Sequence, residues 1–283
     1  MPIDDTALWV VERGPDDGVP LLVLHGGPGL DHHEFGDYLD PLTEQGYRLL
    51  LVDQRAQGRS DGAPQVTWSL GRMAEDVVAL GRSLRLERYA VLGHSYGAFV
   101  ALQNAVDFPG LAAQTIVSSG LPSARYLEQV WRNLEAFEPE EVRDQVTRSW
   151  EREPDAATQD DVASLLHDQL PFQFGDPRDR RIAEFERRTA GAVFAPEVLS
   201  FFARQEYGGI EVEDRLGELT QPVLVLGGEL DRTCVAEAVQ AMARRIPLAE
   251  LHVFEASGHM TYVEANERYL EVVRAFLDRH REG

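Results

Sequence analysis

The 283-residue chain contains no lysine: all 27 basic residues are arginine, set against 48 acidic ones. That absence excludes a Schiff-base lysine, a pyridoxal-phosphate lysine and the phosphate-gripping lysine of a P-loop. The formal net charge of −21 argues against nucleic acid or an anionic membrane as a partner, since both select clustered positive charge. Codon bias towards G and C accounts for arginine without lysine, and a salt-tolerant acidic surface is the alternative. Cysteine is nearly absent too. Cys234 alone allows neither an internal disulfide nor a cysteine-based structural zinc site. No cysteine-nucleophile motif surrounds it, so it reads as a small residue near a loop. No apolar run approaches the roughly 20 residues that span a bilayer. Residues 1–5 have neither the basic nor the apolar region of a signal peptide, which leads one to expect a cytoplasmic location.

What is present is an alternation. Short apolar runs at 8–12, 21–25, 48–52, 89–93, 115–118, 223–227 and 251–254 read as strands. Helical patterns at 73–84, 96–107, 235–246 and 268–280 lie between and after them, the signature of a mostly parallel sheet flanked by helices. In the last pattern, Tyr269, Val272, Val273, Phe276 and Leu277 fall on one helical face. From about 121 to 219 the alternation stops and only helical patterns remain. Ser123 can cap one helix, and Thr158 with Asp161 forms a capping-box pattern before another. Pro171, Gly175-Asp176-Pro177 and Pro196 are expected to separate further helices. The expected organisation is an α/β core over 1–120 and 220–283, carrying a helical lid over 121–219.

The candidate chemistry sits at strand ends. Gly93-His94-Ser95-Tyr96-Gly97 fits G-x-S-x-G between a strand-like run and a helix, where a nucleophilic serine occupies a tight, strained turn flanked by glycines. His25-Gly26-Gly27-Pro28-Gly29 follows the second run. Its small residues expose backbone N–H groups, and Gly27 with Tyr96 is the expected oxyanion-binding pair, Gly26 being the alternative to Gly27. Asp231 follows a buried strand and His259 follows the final one, giving the chain order Ser, Asp, His of α/β-hydrolases. In that arrangement His259 serves as general base and Asp231 holds its tautomer, with Glu229 or Asp214 as alternative carboxylates. His94 is expected to pack or hydrogen-bond locally. The adjacent His32 and His33 would diverge on a helix, so no metal and no cofactor are expected.

At these residues the chain resembles the prolyl iminopeptidase family of α/β-hydrolases. The resemblance is carried by His25-Gly26-Gly27-Pro28-Gly29, by Asp53-Gln54-Arg55-Ala56-Gln57-Gly58-Arg59-Ser60 and by the Ser95 turn, with the Asp231 and His259 loops completing it. It covers nearly the whole chain apart from the lid. It implies an α/β-hydrolase fold with an inserted helical lid, and a serine hydrolase that cleaves a small amide or ester through an acyl-enzyme. Several such enzymes release N-terminal proline. Ala56 stands where the family usually has glycine. Many members also carry a glutamate directly after the aspartate, and another in the lid, to hold the substrate ammonium. Here Arg232 follows Asp231, which would repel a cation and favour a neutral or carboxylate-bearing substrate. Arg232, Trp131 and Glu206 are the candidate substrate-binding residues, with Glu184, Glu186 and Glu197 as further lid acids. The alternatives are a carboxylesterase without aminopeptidase activity, an acyltransferase and a non-catalytic ligand receptor. The expected partner is a small-molecule or short-peptide substrate; the sequence leaves oligomeric state open.

Overall fold

In the computed structural model, which describes residues 1–281, seven strands form one sheet in the order β1-β3-β2-β4-β5-β6-β7. These are β1 (Val10–Arg13), β2 (Val19–Leu24), β3 (Tyr47–Val52), β4 (Ala90–His94), β5 (Gln114–Ser118), β6 (Val223–Gly228) and β7 (Ala249–Phe254). Only the edge strand β1 runs antiparallel, pairing Val10 with Val52. All other neighbours are parallel.

Strand side chains alternate between the two faces, and the sheet shows it residue by residue. Leu22 and Leu24 of β2, Leu50 and Val52 of β3 and Val223 and Val225 of β6 join one core. Their neighbours Leu21, Val23, Leu49, Leu51, Leu224 and Leu226 join the other. The first core is closed by α1 (Leu70–Ser83), α2 (Tyr96–Asp107) and α8 (Ala236–Arg245), the second by α10 (Asn266–Arg279). Because both faces are covered, central strands read as unbroken apolar runs. Helix α10 buries Tyr269, Val273, Phe276 and Leu277 against the sheet.

Between β5 and β6 the described chain makes no strand. It forms α3 (Leu127–Glu135), α4 (Glu140–Arg152), α5 (Gln159–Gln173), α6 (Arg181–Arg188) and α7 (Pro196–Ala203), with short 3-10 turns between some of them. Thr158 and Asp161 make the reciprocal capping box at the start of α5. Ser123 caps a 3-10 turn, Ala124–Tyr126, that leads into α3. Pro171 does not separate helices as the sequence led one to expect; it lies inside the last turn of α5. The helix forgoes the hydrogen bond to the His167 carbonyl there and still continues to Gln173, with Leu170 and Phe172 on either side buried. Among the described residues no helix is long and apolar enough to cross a membrane.

Strand order reverses at β2 and β4, so the segments leaving their carboxyl ends part and leave a crevice between them. Ligand sites of open α/β sheets form at such switch points. The two segments here are His25-Gly26-Gly27-Pro28-Gly29 and Ser95.

Candidate active site

Ser95 has φ +53°, the left-handed region that an L-residue adopts only at a cost. The turn is fixed from both sides. A β-carbon on Gly93 would lie 2.0 Å from the carbonyl oxygen of Gly97, and one on Gly97 would lie 2.2 Å from that of Leu24. The Ser95 N–H donates to the Ser118 carbonyl at 3.0 Å, so the turn is anchored to β5. Its side chain faces a pair of adjoining cavities of about 340 and 780 Å³, and Ser95, Gly27 and His259 line both.

His259 Nδ1 lies 2.9 Å from Asp231 Oδ2 and 2.8 Å from Thr233 Oγ1. The Thr233 hydroxyl donates to Asp231 Oδ1 at 2.9 Å, and the N–H groups of Thr233 and Cys234 donate to the same oxygen. The ring is thus held by a carboxylate that is itself fully engaged. Burial disfavours charge on both groups. On Asp231, the His259 charge and hydrogen bond and the two backbone N–H groups outweigh it and hold the pKa below its usual value. On His259, Asp231 outweighs it, with Glu34 and Glu264 adding, and holds the pKa above its usual value. Ser119 Oγ donates to the His259 carbonyl, and the His259 N–H donates to the Gln173 carbonyl at 2.6 Å. No hydrogen bond joins Ser95 to His259 among the described residues. His94 packs its ring 4.9 Å from those of His259 and Tyr262.

The glycine loop discriminates between its two candidate donors. The Gly26 N–H donates to Glu34 Oε2 and is committed. Gly27 has φ +104°, and neither its N–H nor that of Tyr96, the first residue of α2, donates to a protein group among the described residues. The second family motif braces this loop. The Gln54 side chain donates to the His25 carbonyl at 2.7 Å and its backbone N–H to His25 Nε2 at 3.1 Å. Gln57 accepts from the Gly29 N–H. Buried Arg55 pairs with Asp76 and Asp5. Ala56 holds φ +61°, a conformation glycine adopts freely and alanine at a cost of about 1 kcal/mol.

Three sequence expectations need correction. Arg232 does not face either cavity. Its guanidinium donates to the carbonyls of Phe172, Phe174 and Gly175 at 2.7–3.0 Å and sits over the Phe137 ring, and neither cavity has it in its wall. Three carbonyls at the end of α5 satisfy the cation better than an open cavity would. The charge assigned to repelling an ammonium ion is therefore consumed in structure. His32 and His33 do not diverge. They occupy a 3-10 turn with rings 4.2 Å apart, and their Nδ1 atoms engage Asp53 and Asp31. The lid acids singled out were incomplete. Glu206 and half-exposed Trp131 line the larger cavity, but Glu153 lines both cavities and carries hydrogen bonds from Tyr207 and Gln169, each at 2.6 Å. Glu34 and Thr233 also escaped sequence reading. A glutamate in a short polar turn and a threonine after an aspartate carry no periodic or spacing signal.

The sequence profile of the α/β hydrolase fold family matches residues 19–266. Proline iminopeptidase of Clostridium botulinum is 28% identical, over 92% of this chain and 90% of that one. The proline iminopeptidase of Saccharolobus solfataricus is 29% identical, over 91% and 84%. Among solved structures, a proline iminopeptidase from Mycobacterium smegmatis superposes with a TM-score of 0.77 at 26% identity, covering 99% of this chain and 97% of that one. An esterase from Exiguobacterium antarcticum superposes with a TM-score of 0.74 at 22% identity, covering 96% of each, which is a likeness of fold.

Proposed function

This chain belongs to the α/β hydrolase fold family, and we propose that it is a serine hydrolase cleaving a small amide or ester through an acyl-enzyme on Ser95. One observation carries the reading. Ser95 is held at positive φ, between two glycines that no side chain could replace, in the wall of a cavity that the Asp231-bound His259 shares. His259 Nε2 takes the Ser95 proton as Oγ attacks the carbonyl carbon, and Asp231 stabilises the imidazolium that forms. The carbonyl oxygen, now negative, receives the free N–H groups of Gly27 and Tyr96. His259 then returns the proton to the leaving alcohol or amine, and water repeats the sequence to release the acid. Residues 121–219 act as the lid of this site over the core of 1–120 and 220–283. The cytoplasm is the expected place of work.

A fluorophosphonate probe is expected to modify Ser95 of the purified chain and to leave the Ser95→Ala variant unlabelled. Absence of labelling of the wild type would remove the enzyme from this class.

Within the class, an aminopeptidase acting on short peptides gains support from two observations. Arg232 is withdrawn from the cavity, and Glu153, buried and bridging both halves, stands where an ammonium group could meet it. On this reading Glu153→Gln raises KM for prolyl-p-nitroanilide about tenfold or more, the order of one lost charge-assisted hydrogen bond. Its KM for p-nitrophenyl acetate, which has no amine, changes by less than threefold. Equal effects on both substrates would favour a carboxylesterase.

A further inference from the structure

Glu34 lies opposite Ser95 in the smaller cavity and has no role in the mechanism above. Its Oε2 is held by the Gly26 N–H. Its Oε1 accepts from no group among the described residues and opens on the cavity. The point that a β-carbon on Gly26 would occupy lies 2.6 Å from Glu34 Oε1 and 3.1 Å from Ser95 Cβ, so acid and serine flank the same small space. The backbone of this residue is pinned as well, for Tyr262 donates its hydroxyl to the Glu34 carbonyl at 3.0 Å.

We propose that Glu34 works as a carboxylic acid, donating an Oε1–H hydrogen bond to the substrate carbonyl oxygen held at Ser95, beside the Gly27 and Tyr96 amides. This rests on the assignment of Ser95 as nucleophile. A carboxylate so near a developing oxyanion would oppose it, whereas the neutral acid stabilises it in a site where hydrogen bonds are strong for lack of water.

The surroundings favour the neutral form. No arginine lines this cavity among the described residues, and Asp31, Glu153 and Glu186 share its wall. The groups that face Glu34 or titrate near it are His259, which follows β7, Asp31 on its own loop, Tyr262 of α9 (Thr261–Glu264) and Tyr269 of α10. His167 of α5 and Glu186 of α6 line the far wall. Burial pushes the carboxyl up to about 7, against the pull of the Gly26 N–H and the His259 charge, while Asp31 pushes the same way as burial. Below that pH Glu34 holds its proton; above it the donor is lost. His259 works in the opposite sense, gaining function as it loses its proton.

The test is the pH dependence of kcat/KM for p-nitrophenyl acetate, corrected for spontaneous hydrolysis. The wild type is expected to rise as His259 deprotonates and then to fall at least tenfold between its maximum and pH ~9, two units above the acid's own value. Glu34→Gln and Glu34→Asn, neither of which titrates, are expected to lose the falling limb and vary less than twofold over the same range. Circular dichroism selects whichever variant folds. A wild-type profile that stays flat above its maximum overturns the proposal, whatever the variants do. So does a falling limb that persists in a folded neutral variant. Fluorophosphonate labelling of Ser95 in the same preparations separates the two failures. A labelled, active wild type without the limb defeats only the role of Glu34, and an unlabelled one defeats the nucleophile as well.

Discussion

Ser95→Ala is expected to lower kcat by about 10⁴-fold or more towards any ester or anilide the wild type turns over, with thermal stability close to unchanged. The size follows from the number of functions lost together. Without Oγ no acyl-enzyme forms, and the preorganised His259–Asp231 pair has nothing to deprotonate. Stability is spared because the Ser95 hydroxyl makes no hydrogen bond among the described residues and the strain at positive φ resides in the backbone. His259→Ala should fall by a similar factor, and the double variant should be scarcely worse than either single one, since residues that act as a unit do not add. A Ser95→Ala protein within tenfold of the wild type, measured with active-site titration to exclude contamination, would end the nucleophile assignment.

Gly97→Ala is expected to be among the most damaging one-carbon additions to the described residues. The new methyl would stand 2.2 Å from the Leu24 carbonyl oxygen and 2.5 Å from that of His25. Neither atom is a side-chain end that can swing away. Leu24 closes β2 in parallel register with β4, and His25 begins the glycine loop. Relief therefore requires α2 to move off the sheet or β2 to shift, at a cost on the order of 3 kcal/mol or more, near the upper end for overpacking. Urea denaturation should show a lowered midpoint or no folded protein at all. A similar addition at Gly71, where no atom lies within 4 Å of the added carbon, supplies the control and should be neutral or slightly stabilising, as alanine usually is in a helix. Equal midpoints for the two variants would show that the turn yields more easily than its geometry implies.

These positions also show what could be read without coordinates. The central strands were legible because both of their faces are buried, which leaves apolar runs bounded by loops. The edge strand was read two residues early at its start, at 8 rather than at Val10, because it is half-exposed on one side and Leu8, though buried, belongs to the loop before it. Helix α10 was legible from its period. Motif and chain order brought Ser95, Asp231 and His259 to attention together, and a parallel sheet gathers strand ends at one edge whatever lies between them. What could not be read were partners distant in sequence. Arg232 looked like a free cation because the carbonyls that capture it, at 172, 174 and 175, lie some sixty residues away on another element. Glu34 drew no reading because nothing local reveals that Tyr262 and Gly26 hold it. Pro171 looked like a break because proline usually stops a helix, whereas α5 runs past it to Gln173 and ends before Gly175-Asp176-Pro177, with Phe174 packed into the sheet's second core.

The seam between the end of α5 and the loop that bears the imidazole restricts how the helical region can move. The His259 N–H is tied to the Gln173 carbonyl, Arg232 grips the three carbonyls around it, and a β-carbon on Gly258 would come within 2.3 Å of the Gln173 oxygen. Two stretches of main chain this close behave as one piece. A rotation of the whole insertion about its connections to β5 and β6 would drag the imidazole off its station, so a chamber opened that way would be disarmed while open.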